Sequence, residues 1–280
     1  MTESSFGWAL NDIDWARLDA AAVSADLLAA VKTAALVEAN SADYVEYLHN
    51  VFQDDEAFCR AATHWGREEA QHGAALGRWA EMVDPSFDFP SALARFRAAY
   101  RLPLDCAHSV RGSRAGELLA RCVVESGTCS YYAALRDATD EPVLRQICHY
   151  IAQDEARHYR LFQTHYRHQP VLPIWRRLKI ALGRVLETGD DELGQAWYCA
   201  NVGGRTDAEV YVRTACAGRY QAIVTSLYAE RHVRTAVHMI ALAIGARPGS
   251  PVARWCGNLG WWWLRRRRPA QFAAGTRAAA

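Results

Sequence analysis

Two segments of the chain repeat one pattern of side chains that can bind a metal ion. In each segment a single glutamate stands in an apolar stretch, and a Glu-x-x-His sequence follows about 30 residues later. The residues are Glu38, Glu69 and His72 in the first segment, and Glu125, Glu155 and His158 in the second. On a helix, residues three positions apart project from nearly the same face. Four helices packed side by side would therefore bring four carboxylates and two imidazoles to one point.

These six side chains predict a site for two metal ions. Carboxylates and imidazoles are suitable ligands for iron or manganese, whereas structural zinc and iron–sulfur sites commonly use cysteine thiolates. Four carboxylates carry four negative charges, which two divalent cations would balance. Two adjacent iron ions can transfer two electrons to dioxygen together, so the pattern favours oxidation of an unactivated C–H bond. The alternative is that these are ordinary residues on the surfaces of amphipathic helices, but two motifs at matching distances argue against it.

Three residues beside the predicted ligands could support the site. Asp154 precedes a predicted ligand and could orient a histidine on another helix, as metal-bound imidazoles commonly require. Glu68 has the equivalent position in the first segment, and an exposed helix acid is the alternative for both. Thr128 lies one turn beyond Glu125 and could line an oxygen pocket, or its hydroxyl could bond back to its own helix.

The elements that would position these residues are helices. Apolar residues recur at intervals of three and four, with almost no alternating pattern, so we predict an all-α chain containing a four-helix bundle. The predicted bundle helices span about 24–52, 55–83, 116–137 and 142–168. Ser24 and Asp54 or Asp55 are expected to precede the first two, and Pro142 suits a first helical turn. A connecting segment over about 91–114 should contain a short helix near 92–100.

The duplication extends beyond the candidate ligands. Residues 37–44 align with residues 124–131, with an offset of 87 positions at the lone glutamates and 86 at the Glu-x-x-His motifs. A duplicated helical hairpin is one way to build a site with approximate twofold symmetry.

The composition changes after Pro173, so we predict a bundle domain over residues 1–170, with its core at about 20–168, and a C-terminal helical extension over 171–280. The extension should contain an amphipathic helix at 174–187 and a second helix at about 217–244. In the second helix, Glu230 and His232 face different directions and are expected to have structural roles. The end, 255–268, is rich in tryptophan and arginine. It could hold an acidic carrier protein or lie on an anionic membrane surface, or its tryptophans could complete the core.

The overall composition excludes several classes of protein. The formal net charge is +1, so nothing global suggests a nucleic-acid-binding protein. The eight cysteines include no C-x-x-C pair, which argues against a disulfide scaffold or a zinc ribbon and favours reduced thiols. No secretory signal and no apolar stretch long enough to span a membrane is visible, so we expect a cytoplasmic protein.

The chain resembles the ferritin-like di-iron carboxylate superfamily, and within it is most similar to the acyl-carrier-protein desaturases. The similarity covers roughly residues 20–168 and is carried by the motifs at 68–73 and 154–158, together with a threonine at Thr128. The resemblance implies a ferritin-like bundle and six metal ligands: Glu38, Glu69, His72, Glu125, Glu155 and His158. We assign catalytic support to Thr128 and Asp154. The resemblance also implies two iron ions, dioxygen as co-substrate, an external electron donor such as a reductase or ferredoxin, an aliphatic or acyl substrate, and a homodimer.

Departures from related families narrow the expected activity. Ribonucleotide reductase small subunits carry a radical tyrosine where this chain has Leu76, and di-iron arylamine oxygenases carry a third histidine where it has Ile151. The cysteine spacing also excludes the rubredoxin module of rubrerythrins. The sequence therefore favours an oxygen-dependent desaturase or hydroxylase. The alternatives are a non-catalytic or peroxide-scavenging iron-binding protein and a manganese–iron ligand-binding oxidase.

Overall fold

The structure is a computed structural model that describes residues 7–102, 104, 107–187, 191–204, 209–247 and 249–267. These residues form helices joined by turns and include no β-strand, so the predicted all-α class is confirmed. The helices of the first part are α1 Ala25–Ala39, α2 Ser41–Val51, α3 Glu56–Val83, α4 Phe89–Ala99, α5 Arg114–Ala138 and α6 Pro142–Arg167. Those of the second part are α7 Ile174–Leu186, α8 Asp191–Asn201, α9 Arg213–Leu227, α10 Glu230–Ala243 and α11 Pro251–Arg267.

Capping side chains fix where the bundle helices begin. The Ser24 hydroxyl accepts a hydrogen bond from the Leu27 amide at 3.2 Å, and the Asp55 carboxylate accepts one from the Phe58 amide at 2.9 Å. Each contact satisfies an amide that the first turn of a helix leaves unpaired. The predicted starts of the first two helices, and of α6 at Pro142, are confirmed.

The first predicted helix is wrong in one respect, because it is two helices. α1 ends at Ala39 and α2 begins at Ser41. Between them, Asn40 has φ −87° and ψ 13°, and its amide donates to the Val37 carbonyl in a tighter turn than an α-helix makes. The break comes two residues after Glu38.

The bundle places its candidate ligands between two apolar clusters. α1 packs on α3, α5 on α6, and α3 on α6. Along α3, Phe58 belongs to one buried cluster and Trp79 to the other. Along α6, Phe162 belongs to the same cluster as Phe58, and Ile147 belongs to the same cluster as Trp79. The middle turns of both helices, which carry the Glu-x-x-His motifs, therefore lie between the clusters and away from water.

The extension packs against the bundle, with α8 on α1 and α10 on α5. The predicted helix over 217–244 is wrong, since α9 ends at Leu227 and α10 begins at Glu230. Tyr228 is extended there, and His232 Nδ1 accepts a hydrogen bond from the Ala229 amide at 2.9 Å. His232 Nε2 also lies 3.0 Å from an Asp137 oxygen, consistent with the structural role expected for this histidine. The domain boundary near residue 170 stays a prediction.

Helices α7 and α11 expose apolar side chains. Trp175 on α7 is 64 % exposed, and Trp255 on α11 is 63 % exposed. The guanidinium of Arg266 lies 4.0 Å from the ring centroid of Trp262. Arg268, the last arginine of the predicted basic end, lies outside the described residues, and contact with a carrier protein or membrane surface stays a prediction. In the described part of the chain, no helix is both long and apolar enough to cross a bilayer.

Candidate metal centre

All six predicted ligands come together in the middle of the bundle. Their donor atoms form two overlapping groups, and within each group the atoms lie within 4.8 Å of one another. The first group contains Glu38, Glu69, His72 and Glu155, and the second contains Glu69, Glu125, Glu155 and His158. All six residues are buried. Since Glu69 and Glu155 belong to both groups, they occupy the places where carboxylates could bridge two cations.

Each histidine turns one nitrogen towards this cluster. His72 Nδ1 lies 3.4 Å from a Glu155 oxygen and 3.5 Å from a Glu69 oxygen. His158 Nδ1 lies 3.0 Å from the other Glu69 oxygen. The two imidazole centroids are 5.8 Å apart. The i, i+3 spacing therefore does place both imidazoles beside the carboxylates.

The opposite nitrogen of each histidine is held by an acid from the other half of the bundle. His72 Nε2 lies 3.0 Å from Asp154, and His158 Nε2 lies 3.0 Å from Glu68. Hydrogen bonding with the imidazoles outweighs burial and lowers the pKa of both carboxyls, so each acts as an acceptor for an Nε2 proton. This arrangement leaves Nδ1 of each ring available to bind a metal ion.

The amino-terminal segment contributes a residue that the sequence analysis missed. The Trp8 indole nitrogen donates to Asp154 at 2.8 Å, and its ring lies parallel to the His72 ring with centroids 6.1 Å apart. Arg157 also donates to both Asp154 and Glu68, and so links the two outer acids. Trp8 lies outside the predicted core at 20–168, and nothing in its local sequence pattern indicates this contact.

Two hydroxyl groups contact the ligand carboxylates. The Thr128 hydroxyl donates to Glu155 and lies 3.3 Å from the carbonyl oxygens of Val124 and Glu125. The contacts with its own helix match one of the two predicted roles of Thr128, whereas the contact with Glu155 was not predicted and the oxygen pocket stays a prediction. The Tyr132 hydroxyl donates to Glu38 at 2.5 Å, a contact the sequence analysis did not predict, although Tyr132 lies two turns after Glu125 on α5.

Burial and mutual charge give the metal-free carboxylates opposing pKa shifts. Burial, reinforced by the charge of Glu69, raises the pKa of Glu38 well above its ordinary value. Burial, reinforced by the charge of Glu155, does the same to the pKa of Glu125. Burial also opposes ionisation of Glu69, yet close contacts with Glu38 and both histidines hold its pKa well below the usual range. Protons therefore provide the positive charge that the cluster needs when no cation is bound.

The histidines carry part of that positive charge. Burial disfavours the imidazolium form of His158, but close contacts with the carboxylates of Glu68 and Glu69 raise its pKa to about 10. Burial also disfavours the imidazolium form of His72, but close contacts with Asp154 and Glu155 raise its pKa well above the ordinary value. A metal ion would have to displace these protons, so metal binding should release protons and strengthen as the pH rises.

Unpaired polar atoms test whether the cluster suits metal ions. His72 Nδ1, His158 Nδ1 and one Glu155 oxygen are all buried and make no hydrogen bond of good geometry. Such atoms are costly in a folded protein unless something satisfies them. All three lie in the two ligand groups, and the donors are nitrogen and carboxylate oxygen without sulfur. The residues therefore fit iron or manganese.

A cavity of about 250 Å³ reaches the cluster from one side. Its wall includes four of the predicted ligands, Glu38, Glu69, Glu125 and Glu155, as well as Thr128. Beyond the ligands the wall contains tyrosines and three arginines, Arg111, Arg121 and Arg184. The cluster is therefore accessible to a small molecule along this cavity.

The sequence predicted some residues of the site but not others. Motif spacing brought the six ligands and the two outer acids together, whereas Trp8, Tyr132 and the cavity arginines depend on contacts between helices that spacing does not encode. Comparisons with models of known protein families and with curated proteins found no match for the chain.

Proposed function

We propose that this protein is an oxygen-dependent di-iron oxidase of the desaturase or hydroxylase type, acting on an aliphatic substrate. The observation that supports the proposal best is the pair of overlapping ligand groups that share Glu69 and Glu155. A single ion would need only one such group. Two groups with two shared carboxylates suit a pair of cations, and an iron pair would supply two electrons to dioxygen together.

The cavity favours an enzyme over a storage or scavenging protein. Iron storage requires a path for ions alone, whereas this space is lined by Glu125, Thr128 and Glu155 and can hold a small organic molecule. An organic substrate in the cavity would lie against the same carboxylates that hold the metal ions. This proximity is what oxidation of a C–H bond requires.

The protein's own residues would have three tasks. Asp154 and Glu68 fix the histidine rings, so that Nδ1 of each ring stays directed at the metal ions. Thr128 holds one oxygen of Glu155 through its hydroxyl, which limits how that carboxylate can turn. The apolar clusters on either side exclude water, which protects the oxidant from side reactions.

The reaction balances only with an external donor. In hydroxylation, the substrate and dioxygen, with two electrons and two protons, give an alcohol and one water. In desaturation, the same inputs give an alkene and two waters. The two electrons must come from a separate protein, so a reductase or ferredoxin is part of the proposal.

Metal content per chain is the first test. The protein should be loaded anaerobically with ferrous and manganous ions together, desalted and measured beside Glu125→Ala prepared identically. Two irons in the wild type, with at least one of them lost in the variant, would support the dinuclear site. One manganese with one iron would support the heterometallic alternative, and no bound metal would contradict the proposal.

Oxygen use then separates an enzyme from an iron-binding protein. The di-iron protein, reduced anaerobically, should be mixed with oxygenated buffer with and without a set of aliphatic acids, and the decay of the oxygenated absorbance followed. We expect one or more acids to accelerate the decay and to yield an oxidised product by mass spectrometry. Decay that no organic compound changes would favour the iron-binding or peroxide-scavenging alternative.

A further inference from the structure

Arg121 differs from the other cations that line the cavity. Arg111 is fully engaged, since its two terminal nitrogens each donate to a Glu187 oxygen at 2.7 Å, and Arg184 also contacts Glu187. Arg121 instead donates only through Nε, to Glu117 at 3.4 Å. Among the described residues, nothing accepts a hydrogen bond from its two terminal nitrogens.

An aromatic ring and one acidic neighbour, Glu117, hold Arg121 in place. Its guanidinium lies 4.6 Å from the ring centroid of Tyr44, and its side chain is 12 % exposed. Its acidic neighbour Glu117 also accepts hydrogen bonds from the hydroxyls of Tyr47 and Ser109, each at 2.8 Å. An arginine that is largely buried, stacked on an aromatic ring and unsatisfied at its outer nitrogens is prepared to bind an anion in two-point contact.

Arg121 also has a fixed relation to the metal centre. It precedes Glu125 by four residues on α5, so the two lie on the same face of the helix, about 6 Å apart along its axis. Both residues line the same cavity, as does Thr128 one turn further on. A molecule held by Arg121 at one end would therefore extend along α5 towards Glu125 and Glu155.

We propose that Arg121 binds the carboxylate of the substrate, and that the substrate is a short aliphatic acid whose carbon chain lies beside the metal centre. The proposal rests on the function proposed above and specifies its substrate class. Planar carboxylates match the paired donors of a guanidinium. The volume of about 250 Å³ falls below the usual range for drug-sized ligands, roughly 300–1,000 Å³, which favours a short chain over a long acyl group.

Calorimetric titration with hexanoate and with hexanamide tests the contact directly. The two probes have the same chain, but only hexanoate carries an anion. We expect hexanoate to bind the wild type more tightly than hexanamide, and Arg121→Gln to weaken hexanoate binding about 10- to 100-fold while leaving hexanamide unchanged. Arg121→Lys keeps the charge but loses the two-point geometry, so its affinity should fall in between.

Controls separate this proposal from the metal assignment. Arg60→Gln removes an exposed arginine of α3 and should leave both affinities unchanged. Metal content and circular dichroism are measured on every variant, and the titrations are repeated on metal-free protein and on Glu125→Ala. Hexanoate affinity that depends on Arg121 in metal-free protein would support the contact even if the oxidase proposal fails. Affinity that depends on metal but not on Arg121, or no binding of hexanoate, would overturn it.

Discussion

The two halves of the bundle use the same ligands but hold them differently. In the first half the helix breaks at Asn40, and the Ser41 hydroxyl donates to the Gly66 carbonyl of α3 at 2.8 Å. In the second half α5 continues through Gly127, the position equivalent to Asn40, and the Thr128 hydroxyl donates to the ligand Glu155. The equivalent hydroxyls thus support the fold in one half and contact a candidate metal ligand in the other. The duplicated sequence preserved the site and changed its surroundings.

Removal of shared and unshared ligands should produce the largest difference. Glu155→Ala removes a carboxylate common to both groups, so we expect both metal ions to be lost. Glu38→Ala and Glu125→Ala each affect one group, and each should retain up to one ion. Metal analysis after anaerobic loading measures the result, and circular dichroism should show that all three variants remain helical. Equal metal loss in the three variants would contradict the assignment of shared ligands.

The two acids that face the histidines, Asp154 and Glu68, should affect metal affinity equally. Asp154→Asn and Glu68→Gln keep the shape of each side chain but weaken the acceptor for a histidine proton. We expect metal affinity to fall about 10- to 100-fold in each variant, measured by competition with a chelator. Glu46→Gln is a suitable control, because Glu46 is exposed. If only one of the two outer-acid variants loses affinity, the halves are functionally unequal.

Two glycines should respond to alanine in opposite ways. At Gly73 a Cβ atom would lie 2.6 Å from the Ala39 nitrogen, so Gly73→Ala should separate α1 from α3 and cost about 1–3 kcal/mol of unfolding free energy. At Gly127 a Cβ would meet nothing within 4 Å, so Gly127→Ala should stabilise α5 by about 0.5–1 kcal/mol. Urea denaturation of both variants measures these changes. A stabilised Gly73→Ala would show that the close helix approach is not required.

The two hydroxyls should give the smallest and most specific effects. Ser41→Ala removes a buried hydrogen bond and should lower the unfolding free energy by about 1 kcal/mol without altering metal binding. Thr128→Val should lower the unfolding free energy by no more than about 1 kcal/mol. It should, however, change the absorbance or the oxygen reactivity of the metal-loaded protein. Parallel unfolding and stopped-flow measurements distinguish the two outcomes. A Thr128→Val protein with unchanged oxygen reactivity would restrict Thr128 to a structural role.

The sequence was most informative where function depends on spacing along one helix. The i, i+3 motifs placed Glu69 with His72 and Glu155 with His158, and the residue before each motif proved to face the opposite histidine. The helix break at Asn40 was missed because the apolar pattern continues through it from α1 into α2. Trp8 and Arg121 were missed for another reason. Trp8 contacts Asp154 and Arg121 contacts Tyr44, and each partner lies far away in the chain. The spacing of residues along one helix cannot predict such contacts.

The crossed pairing of outer acids and histidines also bears on how the chain could have originated. Each half contains one lone glutamate, one Glu-x-x-His motif and one preceding acid, and that acid meets the imidazole of the other half. A single hairpin would have no acid facing its own histidine. Two identical copies related by a twofold axis would each supply the acid that faces the histidine of the other. An ancestor with one such hairpin could therefore have assembled the whole centre as a symmetric dimer. Fusion of two copies into one chain would then have allowed Ser41 and Thr128 to diverge.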